Sequence, residues 1–349
     1  MIDVVVLTIG FLALLFVGIN IGGSSTGIAF GPIVGSKVIS MWQASTLMAG
    51  FSFLGAILIG PRVTATLGQD LIPSTSFSPF TAVSVLVLTG IGLLLSNWLG
   101  ISSSTSNVTV VVIAVLGISI DTLNYTVLGE ILAWWVFSGV LAFWVAMLLG
   151  RYFYDNAVSL LQLEQRERLT ALIGVIGACF MAFAAGANNV ANAVAPLIGA
   201  GVFDLQSGVV YASVAIAAGG FILGPWTTKT LGEDITSIDA NAAILIQIVA
   251  GSLILLLSLL GIPASMAHIA TLTVIGLGWG RATKRVAFGD ELKQSLSDTQ
   301  VEKRRQDSLD LFDYEASAKV VKVWVVAPML SGLLAAIVFF GSDYFMAFV

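Results

Sequence analysis

Charge punctuates this chain so sparsely that its apolar stretches can be read as units. Uncharged runs cover Val4–Ser36 (33 residues), Val38–Pro61 (24), Leu71–Ile120 (50) and Ile131–Gly150 (20), then Leu169–Phe203 (35), Leu205–Thr228 (24), Ala240–Gly280 (41) and Val323–Ser342 (20). A membrane-spanning helix needs about 20 apolar residues. The 24- and 20-residue runs therefore predict single spans, and the 50- and 41-residue runs two each, with breaks near Trp98–Ser103 and Gly261–Ala264. The opening runs of 33 and 35 residues exceed one span, fall short of two with a turn, and carry Gly, Asn and Ser in the middle, so they predict discontinuous crossings. The expected fold is an all-α polytopic membrane protein with five crossings per half, residues 1–163 and 164–349, and discontinuous helices at a substrate site.

The second half repeats the rhythm of the first, and the letters agree. Gly18-Ile19-Asn20 precedes Gly186-Ala187-Asn188 by 168 positions; Gly60-Pro61 precedes Gly224-Pro225, and the Thr-Leu-Gly-x-Asp block ending at Asp70 precedes the one ending at Asp234, by 164; Ser104 precedes Ser265 by 161. Cytoplasmic loops are enriched in Lys and Arg. With the amino terminus outside, Lys37, Arg151, Arg166, Arg168, Lys229 and the nine basic residues from Arg281 to Lys322 fall inside, leaving Arg62 outside. Both termini are then extracellular and the cell membrane is the expected location. An odd number of crossings per half inverts one half against the other, the plan of secondary transporters. The segment 281–322, with nine basic and eight acidic residues, reads as a solvated cytoplasmic loop.

Composition narrows the chemistry. With 57% hydrophobic and 10% charged residues and a mean hydropathy of +0.99, the chain departs far from soluble domains, which are about a quarter charged. A net charge of −5 without an extended basic patch argues against nucleic-acid binding. One cysteine, Cys179, and one histidine, His268, exclude disulfides and the usual thiolate or His-rich metal sites, so no cofactor or metal is expected. The start, Met1-Ile2-Asp3 and then an apolar run, lacks the basic region of a signal peptide, and the first segment is expected to remain.

Two clusters interrupt the apolar runs: Gly18 to Gly27, including Asn20, Gly22, Gly23, Ser24 and Ser25, and Gly186 to Pro196, including Asn188, Asn189 and Asn192. Breakers in the hydrocarbon region are tolerated where the freed backbone is buried or lines a cavity, and a half-helix amino terminus is a seat for an anion. Tight packing through small residues would explain the Gly and Ala, but not four asparagines. A third polar group, Ser102 to Asn107 with Ser104, Thr105 and Ser106, opens a helix after the mid-chain break, and Ser265 is its counterpart. Capping needs only one hydroxyl.

These residues resemble the inorganic phosphate transporter (PiT) family over nearly the whole chain. Gly186 to Ala193 matches its Gly-Ala-Asn-Asp-x-Ala-Asn-Ala signature except at the Asp, and Ser104, Thr105, Ser106 and His268 match parts of its Pro-x-Ser-Thr-Thr-His segments. On the alignment of Asn20 with Asn188, the signature aspartates fall on Ile21 and Asn189, so neither carboxylate is present. The pattern is most similar to the sulfate permease branch. The resemblance implies a homodimer in the lipid bilayer and a secondary transporter for sulfate or a related tetrahedral oxyanion, coupled to a cation. The site expected is Asn20, Gly22, Gly23, Ser24, Ser25, Ser104, Thr105, Ser106, Asn188, Asn189, Asn192 and Ser265.

Sulfate only accepts hydrogen bonds, whereas phosphate keeps a proton near neutrality and benefits from a carboxylate acceptor. Without signature carboxylates, H⁺ is favoured over Na⁺ as the coupling ion, with His268 and Glu130 as candidate proton carriers; a buried structural histidine and a solvated glutamate are the plain alternatives. A Na⁺-coupled inorganic phosphate symporter is the second functional reading. A third, an intramembrane serine hydrolase, follows from Gly23-Ser24-Ser25-Thr26-Gly27 matching G-x-S-x-G with His268 as partner to Ser25, but that elbow belongs to a strand-to-helix turn and the sequence has no strand pattern.

Overall fold

The computed structural model describes residues 4–98, 104–154, 167–228, 240–292 and 314–341. They form α1 (Val4–Gly35), α2 (Met41–Leu58), α3 (Gly60–Ala65, continued by a π turn to Asp70), α4 (Pro79–Trp98), α5 (Thr105–Ser119), α6 (Tyr125–Leu148, continued by a π turn to Phe153), α7 (Glu167–Gly199), α8 (Leu205–Ile222), α9 (Ala240–Leu259), α10 (Met266–Leu292) and α11 (Tyr314–Gly341). No strand occurs among the described residues. Six of these helices, α1, α2, α6, α7, α8 and α9, are long and apolar enough to cross a membrane, and α4, α5 and the end of α11 add shorter apolar helices. The chain is an all-α, multi-pass membrane protein.

Local sequence sets the helix starts. Ser40 and Gln43 form a reciprocal capping box at α2, and the side chains of Asn124 and Asp204 accept backbone N–H bonds at the starts of α6 and α8. Asp204 also accepts from the Ser207 hydroxyl, and this bond leads the causes that hold its carboxyl below the usual aspartate range.

The predicted breaks at Trp98–Ser103 and Gly261–Ala264 correspond to the junctions of α4 with α5 and of α9 with α10. The discontinuity expected inside the two opening runs is not there: α1 and α7 are continuous, and the Gly/Asn clusters lie in mid-helix. Pro32 and Pro196 sit close enough to the helix ends for only the last turn to lose a bond. The helix starts that face the polar core belong instead to α5 and α10, where the Ser104 and Ser265 carbonyls accept the first intrahelical bonds, from Val108 and Ile269. The charged segment 281–322 is likewise not all loop, since α10 runs to Leu292 and α11 starts at Tyr314. The 163/164 boundary, Ser102, Ser103 and Asp234 lie outside the described residues.

Packing fixes the relation between the halves. Helix α1 lies against α8, and α2 against α7; α5 packs on α11, and α6 on α10. Glycine makes the first two approaches possible. A Cβ on Gly22 would collide with the Ile216 carbonyl, and one on Gly186 with the Ser52 carbonyl; Gly55 meets the Phe183 carbonyl just as Gly219 meets that of Ile19. Each contact recurs with the halves exchanged, both partners shifted by 164 positions. The same spacing separates the helix ends Gly35 and Gly199, Met41 and Leu205, and Leu58 and Ile222. The 168-residue alignment of Asn20 with Asn188 is therefore overturned. Register 164 matches Gly22 with Gly186, Ser24 with Asn188, and Ser25 with Asn189, because the carbonyl contacts leave room for no other residue at the glycines.

Gly22→Ala and Gly186→Ala are each expected to lower the melting temperature of the detergent-purified protein by several degrees. Gly31→Ala, where an added Cβ meets nothing within 4 Å, should leave it unchanged or raise it, as Ala is the better helix former by about 1 kcal/mol.

Candidate functional site

The centre of the molecule holds a cluster of neutral polar side chains from α1, α5, α7 and the start of α10. Ser25, Ser106, Asn188, Asn189, Asn192 and Ser265 are all buried. Burial of this much polar surface is tolerable only where hydrogen bonds replace those to water. Asn192 donates through Nδ2 to Ser106 Oγ at 3.0 Å and to Asn189 Oδ1 at 3.4 Å. Asn189 Nδ2 donates to Ser25 Oγ at 3.3 Å. Asn188 Nδ2 donates to Asn189 Oδ1 at 2.9 Å, to the Ala264 carbonyl at 2.8 Å and, more weakly, to Ser106 Oγ at 3.4 Å.

The spacing of α7 explains the convergence. Residues 188, 189 and 192 fall on one side of a helix of 3.6 residues per turn, and the contact of Gly186 with Ser52 turns that side inward. The equivalent contact of Gly22 turns Ser25 of α1 toward Asn189, 164 positions on. A second matched pair lies beside the first. Asn107 Nδ2 and His268 Nε2 are 3.3 Å apart and 161 positions apart in sequence, the spacing that also relates Ser104 to Ser265. Asn107 was not singled out from the sequence; its identity of offset with His268 was the available signal.

Ser25 and Ser106 each accept from an asparagine N–H, which leaves their hydroxyl protons to be donated; no acceptor for them stands among the described residues. Ser265 Oγ is buried without a partner. Two acceptors, Asn192 Oδ1 and Asn107 Oδ1, are also buried and unpartnered. Ser104 occupies the N-cap position of α5 without making a side-chain cap bond, and Thr105 is buried in the first turn. The cluster can thus donate hydroxyls to an anion, beside helix N-termini at α5 and α10, while offering two amide oxygens to a proton donor or a cation.

Four residues expected in the site are placed otherwise. Asn20 donates to the Phe16 carbonyl and Ser24 to the Ile21 carbonyl, both within α1, and both are half-buried where Ser25 is buried. Gly22 and Gly23 pack against α8, at Ile216 and Leu223. Ile21, aligned from the sequence with Asn189, is a buried core residue. Ser25 lies inside a continuous helix and bonds Asn189, while His268 pairs with Asn107, so the serine-hydrolase arrangement is absent.

Glu130 is exposed and belongs to a different place. It lines a cavity of about 530 Å³ with Asp70, Gln69, Thr122 and the 260–262 segment. That segment leads into Pro263 and Ala264 of the junction between α9 and α10.

The fold is that of a multi-pass helical membrane protein with a buried core of neutral donors and acceptors, and its relatives give its class. The model of the phosphate transporter family matches residues 21–306, and the chain belongs to that family. It is 28% identical to the sulfate permease CysP of Bacillus subtilis (strain 168), over 96% of this chain and 88% of that protein. It is 31% identical to the human sodium-dependent phosphate transporter 2 over a shorter region, 32% of this chain and 19% of that one. Among solved structures, a sodium-dependent phosphate transporter has the same fold, with a TM-score of 0.73 at 18% identity, covering 96% of this chain and 98% of the other. Its relatives are transporters, and so is this protein; it is not an enzyme.

Ser106→Ala should cost more stability than loss of a surface hydroxyl would, about 1–3 kcal/mol, because it leaves one N–H of the buried Asn192 amide without its 3.0 Å acceptor. Thr109→Val, which removes only a back-bond to the Thr105 carbonyl, should cost clearly less in the same thermal melts.

Proposed function

We propose that this protein carries sulfate, or a closely related tetrahedral oxyanion, into the cell by ion-coupled alternating access. The observation that carries the reading is the pairing of Ser25 with Asn189. These matched positions carry a hydroxyl and an amide, where the family signature has its aspartate. A carboxylate repels a dianion that has no proton to offer it. Hydroxyl and amide donors do not, and discrimination works through the missing acceptor. The extent of similarity to a sulfate permease supports the same substrate class. The ligands proposed are the hydroxyls of Ser25, Ser104, Thr105, Ser106 and Ser265; Asn189 and Asn192, whose N–H groups are given to Ser25, Met266 Sδ, Ser106 and Asn189 Oδ1, hold the Ser25 and Ser106 hydroxyls in place.

The halves are proposed as inverted repeats, 1–163 and 164–349, moving about the cluster, in a homodimer at the cell membrane with both termini outside. Matched helix lengths and reciprocal glycine contacts support the repeat, and the distribution of Lys and Arg supports the orientation. A cysteine replacing Asp290, in a background lacking Cys179, should react from the cytoplasmic side only.

Moving a dianion into a negative-inside cell costs about 2.3 kcal/mol per charge per 100 mV, so more than two positive charges must accompany each sulfate if the potential is to drive uptake. Protons are favoured, with His268 and Glu130 as the available carriers. One observation favours the second reading, a Na⁺-coupled inorganic phosphate symporter: the unpartnered oxygens of Asn192 and Asn107 suit a cation or a protonated anion.

Sulfate should raise the melting temperature of the purified protein by mass action, with phosphate giving a much smaller shift. Asn189→Asp should weaken sulfate tenfold or more, the equivalent of losing one hydrogen bond to a charged group at about 1.5–3 kcal/mol. In Na⁺-free proteoliposomes an inward proton gradient should drive labelled sulfate uptake that a protonophore abolishes. A requirement for external Na⁺ would replace the proton reading, and selective stabilisation by phosphate would replace the sulfate reading.

A further inference from the structure

The junction between α9 and α10 is an irregular stretch against the cluster, and its backbone is held by side chains from two other helices. Asn188 Oδ1 accepts from the Ala264 N–H at 2.7 Å, and Asn188 Nδ2 donates to the Ala264 carbonyl at 2.8 Å. A single side chain thus bonds both polar groups of one residue, as a neighbouring strand would. One residue earlier, Trp135 of α6 donates through Nε1 to the Pro263 carbonyl at 2.7 Å. Ala264 and Asn188 are fully buried, so water cannot take over these bonds.

The amide of Asn188 is saturated by this arrangement. Its two N–H hydrogens serve Ala264 and Asn189 at 2.8 and 2.9 Å, and its oxygen serves Ala264. Nothing remains to bind an anion. The next residue is the reverse case: Ser265 is buried, its Oγ has no partner, and its carbonyl starts α10. The matched residue on α1, Ser24, turns its hydroxyl to the Ile21 carbonyl of its own helix. Among the described residues the clamp occurs in the second half.

We propose that Asn188 is a positioning residue and not a ligand of the transported anion: with Trp135 it fixes Pro263 and Ala264 so that Ser265 presents its hydroxyl to the anion. The proposal rests on the oxyanion reading for the identity of the ligand, and on the geometry alone for the role of the clamp.

A double-mutant cycle on the purified full-length protein tests it, with sulfate binding as the readout. Asn188→Ala and Ser265→Ala should each weaken sulfate about tenfold, and the double variant should be no weaker than the worse single one. Trp135→Phe should weaken sulfate severalfold, and have no further effect once Ser265 is Ala. Losses that multiply in the double variant would overturn the proposal, since Asn188 would then contribute independently of Ser265. A ligand-free measurement separates this from the choice of substrate. With Cys179→Ala and Ser265→Cys, modification by a small methanethiosulfonate in the absence of any anion should be slow, and severalfold faster after Asn188→Ala or Trp135→Phe but not after Thr46→Ala. Unchanged rates in both clamp variants would sink the positioning role even if sulfate binds. Changed rates in a protein that ignores sulfate would keep the clamp and discard the substrate. If Asn188→Ala does not fold, Trp135→Phe carries both measurements.

Discussion

Four backbone carbonyls pressed onto four glycines determine what the rest of this structure can do. Lipid gives apolar helices little reason to prefer one another, so close van der Waals approach through small residues supplies the association. Gly22, Gly55, Gly186 and Gly219 let α1 meet α8 and α2 meet α7 with no side chain between them. Once those contacts form, the rotation of α1 and α7 about their axes is fixed. Ser25 and Asn189 then face each other, and Asn20 and Ser24 do not. The glycines of the first cluster, which looked like helix breakers beside an anion, are the reason that the neighbouring serine reaches the centre.

Much of the architecture was legible because charge is so rare. The lengths of the uncharged runs located the helices and the junctions before α5 and α10, since a long apolar run admits few alternatives in a membrane. Asn188, Asn189, Asn192 and Ser106 stood out as amide and hydroxyl groups with no solvent to serve. Two features were not legible. Continuity of α1 and α7 depends on burying Gly-rich turns against a partner helix, which local propensity does not report. The register of the halves was misread by four residues because Gly-x-Asn occurs at both Asn20 and Asn188, and letter identity outweighed spacing. The 164-residue offset was already present in the Gly-Pro and Thr-Leu-Gly-x-Asp blocks, and extending it backward would have aligned Pro32 with Pro196 and Ser25 with Asn189.

The residues at matched spacings are chemically unlike and stand in contact. Ser25 pairs with Asn189, and Asn107 with His268; each pair sets unlike polar groups at equivalent sites in the two halves. Trp135 shows why other residues escape a reading from sequence. An indole on a lipid-rich helix resembles an interfacial anchor until the fold brings the Pro263 carbonyl to it.

A site made wholly of neutral groups has an energetic consequence. Fixed cationic side chains would hold a dianion tightly but would have to cross, or be screened, whenever the site changed its exposure. Amides and hydroxyls carry no net charge of their own, so the central cluster can repack without moving a formal charge through the hydrocarbon region, where each such charge is costly. In the proposed ion-coupled cycle the charge to be balanced is that of the cargo, and the accompanying cation balances it. The oxygens of Asn192 and Asn107 and the hydroxyl of Ser265 are buried without partners. In the proposed cycle, acceptors and donors of this kind would let a cation or proton and an anion stabilise one another, so that occupancy of one would favour occupancy of the other. In that arrangement coupling is a property of the shared cluster, and the absence of a carboxylate makes the empty cluster neutral.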